Sequence, residues 1–389
     1  MCENLCVARE EREHASCALA LSGGGFRATL FHTGALIRLN ELGLLRRLDC
    51  ISGVSGGAKN VGILGSRWAR LRFDESGRAE NFHEEIVTPL RRLCAMPLDV
   101  LPSFANMGGM LLGLPSTALA WEYDRQLFHG FTLGELPRPG EGPRIVLIAG
   151  NLVTGAEVFF KGDALEDKRL GRVRLPHLKL ATAVAASSAY PPFLSPVVIP
   201  TDPDAWEPLP GADLHGEARL RRRLTLTDGG VYDALAVEPV WREYATLLVS
   251  DGCVVKEVWR PGSFWPRQWL RVVLLATSNT AAIRKELLSE FVPREGPRAD
   301  GRACIYWGNG TRIASYGVED ALCQDSEITR GLARMRTRES RFTPREQGWL
   351  INWGYALCDA AMRRSPLLWQ PPPMPAREAR LPVPDCPLS

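Results

Sequence analysis

Three short apolar runs that end in glycine restrict what this chain can fold into. "CALALSGGG" (Cys17 to Gly25), "LDCISGVSGG" (Leu48 to Gly57) and "LTLTDGG" (Leu224 to Gly230) pass from apolar residues directly into Gly, Ser or Asp. Runs without polar alternation suit a sheet covered on both faces. Helical spacing follows the first two. Ala28, Leu30, Phe31, Ala35, Leu36, Leu39 and Leu42 share one helix face, with Gly43 placed to end it. "GAKNVGILGSRWARL" continues from the second run as another helix. Strands alternating with helices predict an α/β fold.

The rest of the chain extends this pattern. "RIVLIAG" and "AEVFFK" flank Asn151 to Gly155 as strand, turn and strand. "LKLATAVAASSAY" reads as a helix stopped by Pro191 and Pro192, and "ATLLVSDG" and "LRVVLLATSN" read as buried strands. "TPREQGWLINWGYALCDAAMRR" predicts a long amphipathic helix with Thr343 as cap, Pro344 at the first position and Gln347 three or four residues in. The expected organisation is an N-terminal extension (1–16), one large domain (17–365) and a proline-rich, extended or disordered tail (366–389). Within the domain, 199–221 reads as an inserted surface loop. Val100 to Trp121 carries no charge, but Pro102 and Pro115 interrupt it as a membrane span. Residues 95–121 therefore read as a buried helix pair or an apolar cap.

Charge and cysteine usage narrow the function classes. A formal net charge of +3 is too mild for a nucleic-acid binder. Arg219, Arg221, Arg222 and Arg223 form a local cluster, read as a solvated face or a contact with anionic lipid. The ten cysteines include no C-x-x-C pair, so zinc-ligand spacing is absent. The first residues, "MCENLCVAREEREHAS", are charged where an export signal needs an apolar stretch. Reduced thiols in a cytoplasm are the reading that follows.

Gly53, Ser55 and Gly57 fit G-x-S-x-G, with a strand before and a helix after, which is the context of a nucleophile elbow. Gly23, Gly24 and Gly25 precede a helix start, where glycine amides can turn toward a phosphate or a reaction oxyanion, or simply make a tight turn. A dinucleotide fingerprint would need glycine at Ala28, and no phosphate-loop lysine motif is present. None of His14, His32, His83, His129, His177 and His215 follows Asp228, so the Ser, Asp, His order of an α/β-hydrolase is not available. Asp228 ends its own apolar run beside Gly229 and Gly230, a pattern that also fits a plain Asp-Gly turn.

Taken in order, G-G-G-x-R, G-x-S-x-G and D-G-G resemble the patatin-like phospholipase family, and "AVAASSAYPPFLSPV" is similar to the segment between its serine and aspartate. The resemblance implies a three-layer sandwich, with a mostly parallel central sheet and helices on both faces. It also implies a Ser-Asp dyad without histidine, in which Ser55 is the nucleophile and Asp228 the base. Gly23, Gly24 and Gly25 would form the oxyanion hole, with Arg27 at the family's basic position. Gly53, Gly57, Gly229 and Gly230 would be the motif glycines. No metal or other cofactor is implied. The substrates would be phospholipid or lysophospholipid esters, met through peripheral membrane contact. Two positions depart from the pattern: Ser22 stands where the family often has Asp, and Ala28 replaces the last glycine of the longer motif. A catalytically silent lipid- or acyl-binding protein on the same scaffold is the alternative.

Overall fold

The computed structural model describes residues 16–98, 118–191, 194–253, 265–289, 302–337, 339–365 and 379–388. The expected N-terminal extension, most of the 95–121 stretch and the first part of the proline-rich tail lie outside the described residues. Eleven strands form one mixed sheet: β1 (Cys17–Leu21), β2 (Cys50–Val54), β3 (Arg144–Asn151), β4 (Glu157–Lys161), β5 (Ala164–Asp167), β6 (Gly171–Arg174), β7 (Val197–Pro200), β8 (Trp206–Glu207), β9 (Arg223–Asp228), β10 (Thr246–Asp251) and β11 (Ala303–Gly308). The helices are α1 (Gly25–Glu41), α2 (Gly56–Arg67), α3 (Thr88–Cys94), α4 (Ala118–Tyr123), α5 (Leu180–Ser187), α6 (Ala218–Arg221), α7 (Trp265–Ser289), α8 (Glu327–Ala333) and α9 (Pro344–Arg364).

The expected parallel core is the run β11-β10-β1-β2-β3. Antiparallel strands β4, β5, β6 and β8 extend it, and the turn between β3 and β4 falls where the sequence places it. Side chains alternate across the pleat. Leu19, Leu21, Ile51 and Leu147 face a core shared with α1, α2, α5 and α9. Ala18, Ala20, Cys50 and Ile148 face a second core shared with residues 234–240 and α7. That makes three layers.

One junction positions the site. β2 lies along one edge of β3 and ends with Val54 opposite Ile148. β9 then joins the same edge from the opposite direction, with Asp228 opposite Ala149. The two strands therefore meet head-on beside β3, which brings Ser55 and Asp228 together. The third glycine motif thus ends an antiparallel strand, not a member of the parallel set.

Three sequence expectations are corrected. "LRVVLLATSN" lies inside α7 instead of forming a strand, because β11, "ACIYWG", already occupies the sheet edge beside β10. Ala281 and Leu288, two turns apart on α7, pack onto the second core. The capping box of α9 pairs Thr343 with Glu346, while Gln347 is buried and donates to the Phe342 carbonyl. The end of the tail is packed, not extended or disordered: Asn352 donates to the carbonyls of Val383 and Cys386, and Leu388 is buried. The inserted loop at 199–221 carries β8, which pairs with β6.

Helices α1 and α9 cross at two glycines. A methyl group on Gly354 would overlap the Phe31 carbonyl, and one on Gly34 the Ile351 carbonyl. The buried Arg38–Asp359 ion pair at 2.7 Å closes the same interface. Gly354→Ala should therefore lower stability by about 1–3 kcal/mol through overpacking. Gly331→Ala, on α8 with open space around it, should instead raise stability by about 0.4–1 kcal/mol. Urea unfolding midpoints of the two variants, moving in opposite directions, would check this packing.

Candidate active site

Ser55 sits at the turn from β2 into α2 with φ 51° and ψ −112°. A non-glycine residue held at such angles costs of order 1–3 kcal/mol, so the surroundings must enforce it. They do so on both sides of the peptide. The Ser55 N–H donates to Ser187 Oγ at 3.0 Å. Its carbonyl accepts from Ala58 N–H at 3.1 Å, Ser188 Oγ at 3.3 Å and Lys59 Nζ at 3.4 Å. Close approach of the elements completes the turn. A Cβ on Gly53 would fall 2.5 Å from the Val61 side chain, and one on Gly57 would overlap the Leu21 carbonyl. Only glycine lets α2 pack this tightly on β1 and β2.

Asp228 is buried at the end of β9, and its Oδ1 accepts the Gly230 N–H at 2.7 Å. Gly229 is needed beside it, because a side chain there would overlap the Ile148 carbonyl. Burial raises the Asp228 carboxyl to about 6. The Gly230 N–H, the Ser55 side chain and the Lys59 cation pull it back down, and Glu339 pushes it up. A carboxylate in this range accepts a proton more readily than one at the ordinary value near 4. Residues 187–189 bridge the two motifs: Ser187 and Ser188 hold Ser55, and the Ala189 carbonyl accepts the Asp228 N–H at 2.9 Å.

The glycine run divides by position. The Gly23 N–H donates to the Ala234 carbonyl at 2.9 Å, so it is not aimed at a substrate. This departs from the expected three-amide hole. Gly24 and Gly25 have φ of 137° and 58°, and their N–H groups have no partner among the described residues. Arg27 also departs from expectation. Its fully buried guanidinium donates to the Gly252 carbonyl at 3.2 and 2.9 Å and to the Met335 carbonyl at 2.7 Å. Through these two carbonyls it braces the loop.

Among the described residues, no histidine hydrogen-bonds Ser55 or Asp228. His32 lies nearest the glycine loop and is fully buried. Burial lowers its pKa to about 4, so it is neutral at pH 7. Its Nε2–H donates to the Ser22 carbonyl at 2.9 Å, and its Nδ1 accepts from the Ser250 hydroxyl at 2.7 Å. That role is structural.

The sequence reading missed Lys59, Ser187, Ser188 and Glu339. Lys59 Nζ is fully buried behind the elbow and pairs with Glu339 Oε1 at 2.7 Å. A lysine four residues past the serine was the available signal, since it falls on a helix whose neighbours are small or apolar. Glu339 had none.

Among the described residues, no helix is long and apolar enough to cross a membrane. Comparison with curated proteins finds no match. Among solved structures, the chain is similar to human GIVD cytosolic phospholipase A2, at 13% identity and a TM-score of 0.46, over 90% of this chain and 62% of that one. The same human enzyme in complex with methyl gamma-linolenyl fluorophosphonate aligns at 15% identity and a TM-score of 0.49, over 90% and 59%. VipD from Legionella pneumophila aligns at 15% identity and a TM-score of 0.35, over 90% and 67%. The chain thus spans about three-fifths of the length of the phospholipase A2 chains. The family model described as patatin-like phospholipase matches residues 19–241. Matched over more than half of its length, from the first strand to beyond Asp228, this chain belongs to the patatin-like phospholipase family.

Proposed function

We propose that this protein is a serine acyl hydrolase that cleaves fatty-acyl esters of phospholipids or lysophospholipids, with Ser55 as nucleophile and Asp228 as general base. The observation that carries the reading is the meeting of a strained elbow serine with a buried carboxyl of raised pKa, at the junction of β2 and β9. Ser55 Oγ attacks the ester carbonyl while its proton passes to the Asp228 carboxylate. The Gly24 and Gly25 N–H groups, with the N-terminus of α2, face the charge that develops on the carbonyl oxygen. As the ester C–O bond breaks, Asp228 returns the proton to the departing oxygen and the acyl group stays on Ser55. Water then gives a proton to Asp228 and attacks the acyl-serine, and Ser55 recovers the proton as the fatty acid leaves.

Ser55→Ala and Asp228→Asn should each lower ester turnover by about 10,000-fold or more, and the double variant should be little worse, because the two act as a unit. The wild-type kcat/KM should fall tenfold per pH unit below an acid limb near pH 6, where Asp228 becomes protonated and can no longer accept the serine proton. Kinetics on a soluble p-nitrophenyl ester between pH 4 and 9 would measure both. An Asp228→Asn variant with wild-type turnover would contradict the dyad.

Gly24→Ala tests the amide donors separately. Its φ of 137° disfavours any side chain, and the added methyl would lie 2.8 Å from the Gly252 carbonyl. The expected result is a fall in kcat of about 100- to 1,000-fold, with KM changed far less. Thermal unfolding of the same preparation would establish that the variant remains folded.

A further inference from the structure

Behind the elbow lies an ion pair that the proposed reaction does not use directly. Lys59 Nζ is fully buried, and Glu339 is 6% exposed. Taking two such charges out of water costs several kcal/mol per ion, and apolar replacements are often as stable or more so. A stability role is therefore a weak account of the pair, and its contacts point elsewhere. Lys59 Nζ donates to the carbonyl of Ser55 and to Ser188 Oγ, which itself donates to that same carbonyl. The ammonium also lies over the rings of Tyr123, at 5.2 Å, and Phe26, at 5.9 Å. Glu339 is fixed in turn: its Oε2 accepts the Tyr123 hydroxyl at 3.2 Å, and its carbonyl accepts the Leu98 N–H at 2.9 Å. Glu339 lies beyond the stretch that matches the family, so a later part of the chain reaches back to the serine turn.

We propose that Lys59 and Glu339 are a positioning pair: Lys59 holds the Ser55 peptide in its strained conformation, and the two opposite charges together set the potential at Asp228. The inference rests on the reading of Ser55 and Asp228 as nucleophile and base. Lys59 and Glu339 act on the Asp228 carboxyl in opposite directions. The other groups facing that carboxyl are the Gly230 N–H and Ser55, with the phenols of Tyr123 and Tyr190 also within electrostatic reach. The buried Cys94 thiol lies near the pair itself. Removing one member of the pair leaves the other uncompensated, so the two removals move the base oppositely. Packing alone produces no such reversal of sign.

The test is the pH profile of kcat/KM on a p-nitrophenyl ester for the full-length chain. Lys59→Met should move the acid limb up in pH and Glu339→Gln should move it down, each by about 0.5–1 pH unit. Lys59→Met should also lower kcat by about 10- to 100-fold with KM within threefold, because the nucleophile loses its fixed geometry. Combining the two should return the limb to within about 0.3 unit of wild type while kcat stays low, since no unpaired charge is then buried. Limbs that stay in place, or that shift in the same direction, would overturn the proposal. If a single variant fails to fold, the double variant decides: low kcat at unchanged KM supports positioning, and wild-type kcat overturns it. A double variant that fails to fold would make the pair a folding requirement and overturn it too. Failure of the underlying reading looks different, because the wild-type protein would then not hydrolyse the ester, or would do so equally well as Ser55→Ala.

Discussion

The structure depends on holding Ser55 in a backbone conformation that its side chain disfavours. Neither β2 nor α2 imposes those angles alone. They follow from packing a helix directly against the strands that precede it, at a distance that Gly53 and Gly57 permit. Hydrogen bonds on both sides of the peptide offset the strain, and they come from α2 and from the end of α5. The turn is thus determined by tertiary contacts, as expected where strain is kept for function.

The sheet explains why Asp228 arrives where it does. A wholly parallel sheet would leave the end of β2 facing a loop. Here β9 enters antiparallel along the same edge of β3 and ends in register with Ala149, so Asp228 is delivered to the strand end that carries the serine. Residues 187–189 tie both residues to a single short segment, so a displacement of α5 would disturb Ser55 and Asp228 together. Around them the fold surrounds the carboxyl with low-dielectric packing, which raises its proton affinity. The neutral His32 and the buried Arg27 serve the glycine loop as braces.

Much of this was legible in the residues, for identifiable reasons. The glycine-terminated runs at 17–25, 48–57 and 224–230 are local signals, and each became a strand leading into its turn. Thr343 and Pro344 marked the start of α9, but neighbouring Glu346 closes the capping box. Long-range geometry was not legible. "LRVVLLATSN" has strand-like composition, but it is part of the longer helix α7, which packs onto the second core through Ala281 and Leu288 beyond the segment itself. The Gly23 amide and the Arg27 guanidinium belong to motifs that suggest a ligand, yet the carbonyls that occupy them come from Ala234, Gly252 and Met335, far along the chain. Glu339 behind the elbow is the extreme case, since no pattern around it indicates a partner at Lys59.

The central claim is that Ser55 is the activated nucleophile of an acyl hydrolase. The most direct measurement is peptide mass spectrometry of the protein after incubation with an alkyl fluorophosphonate. A single adduct on the peptide carrying Ser55, blocked by prior acylation and absent from Asp228→Asn, is the result predicted here. An adduct on another residue, or no adduct in a folded and intact protein, would contradict the account.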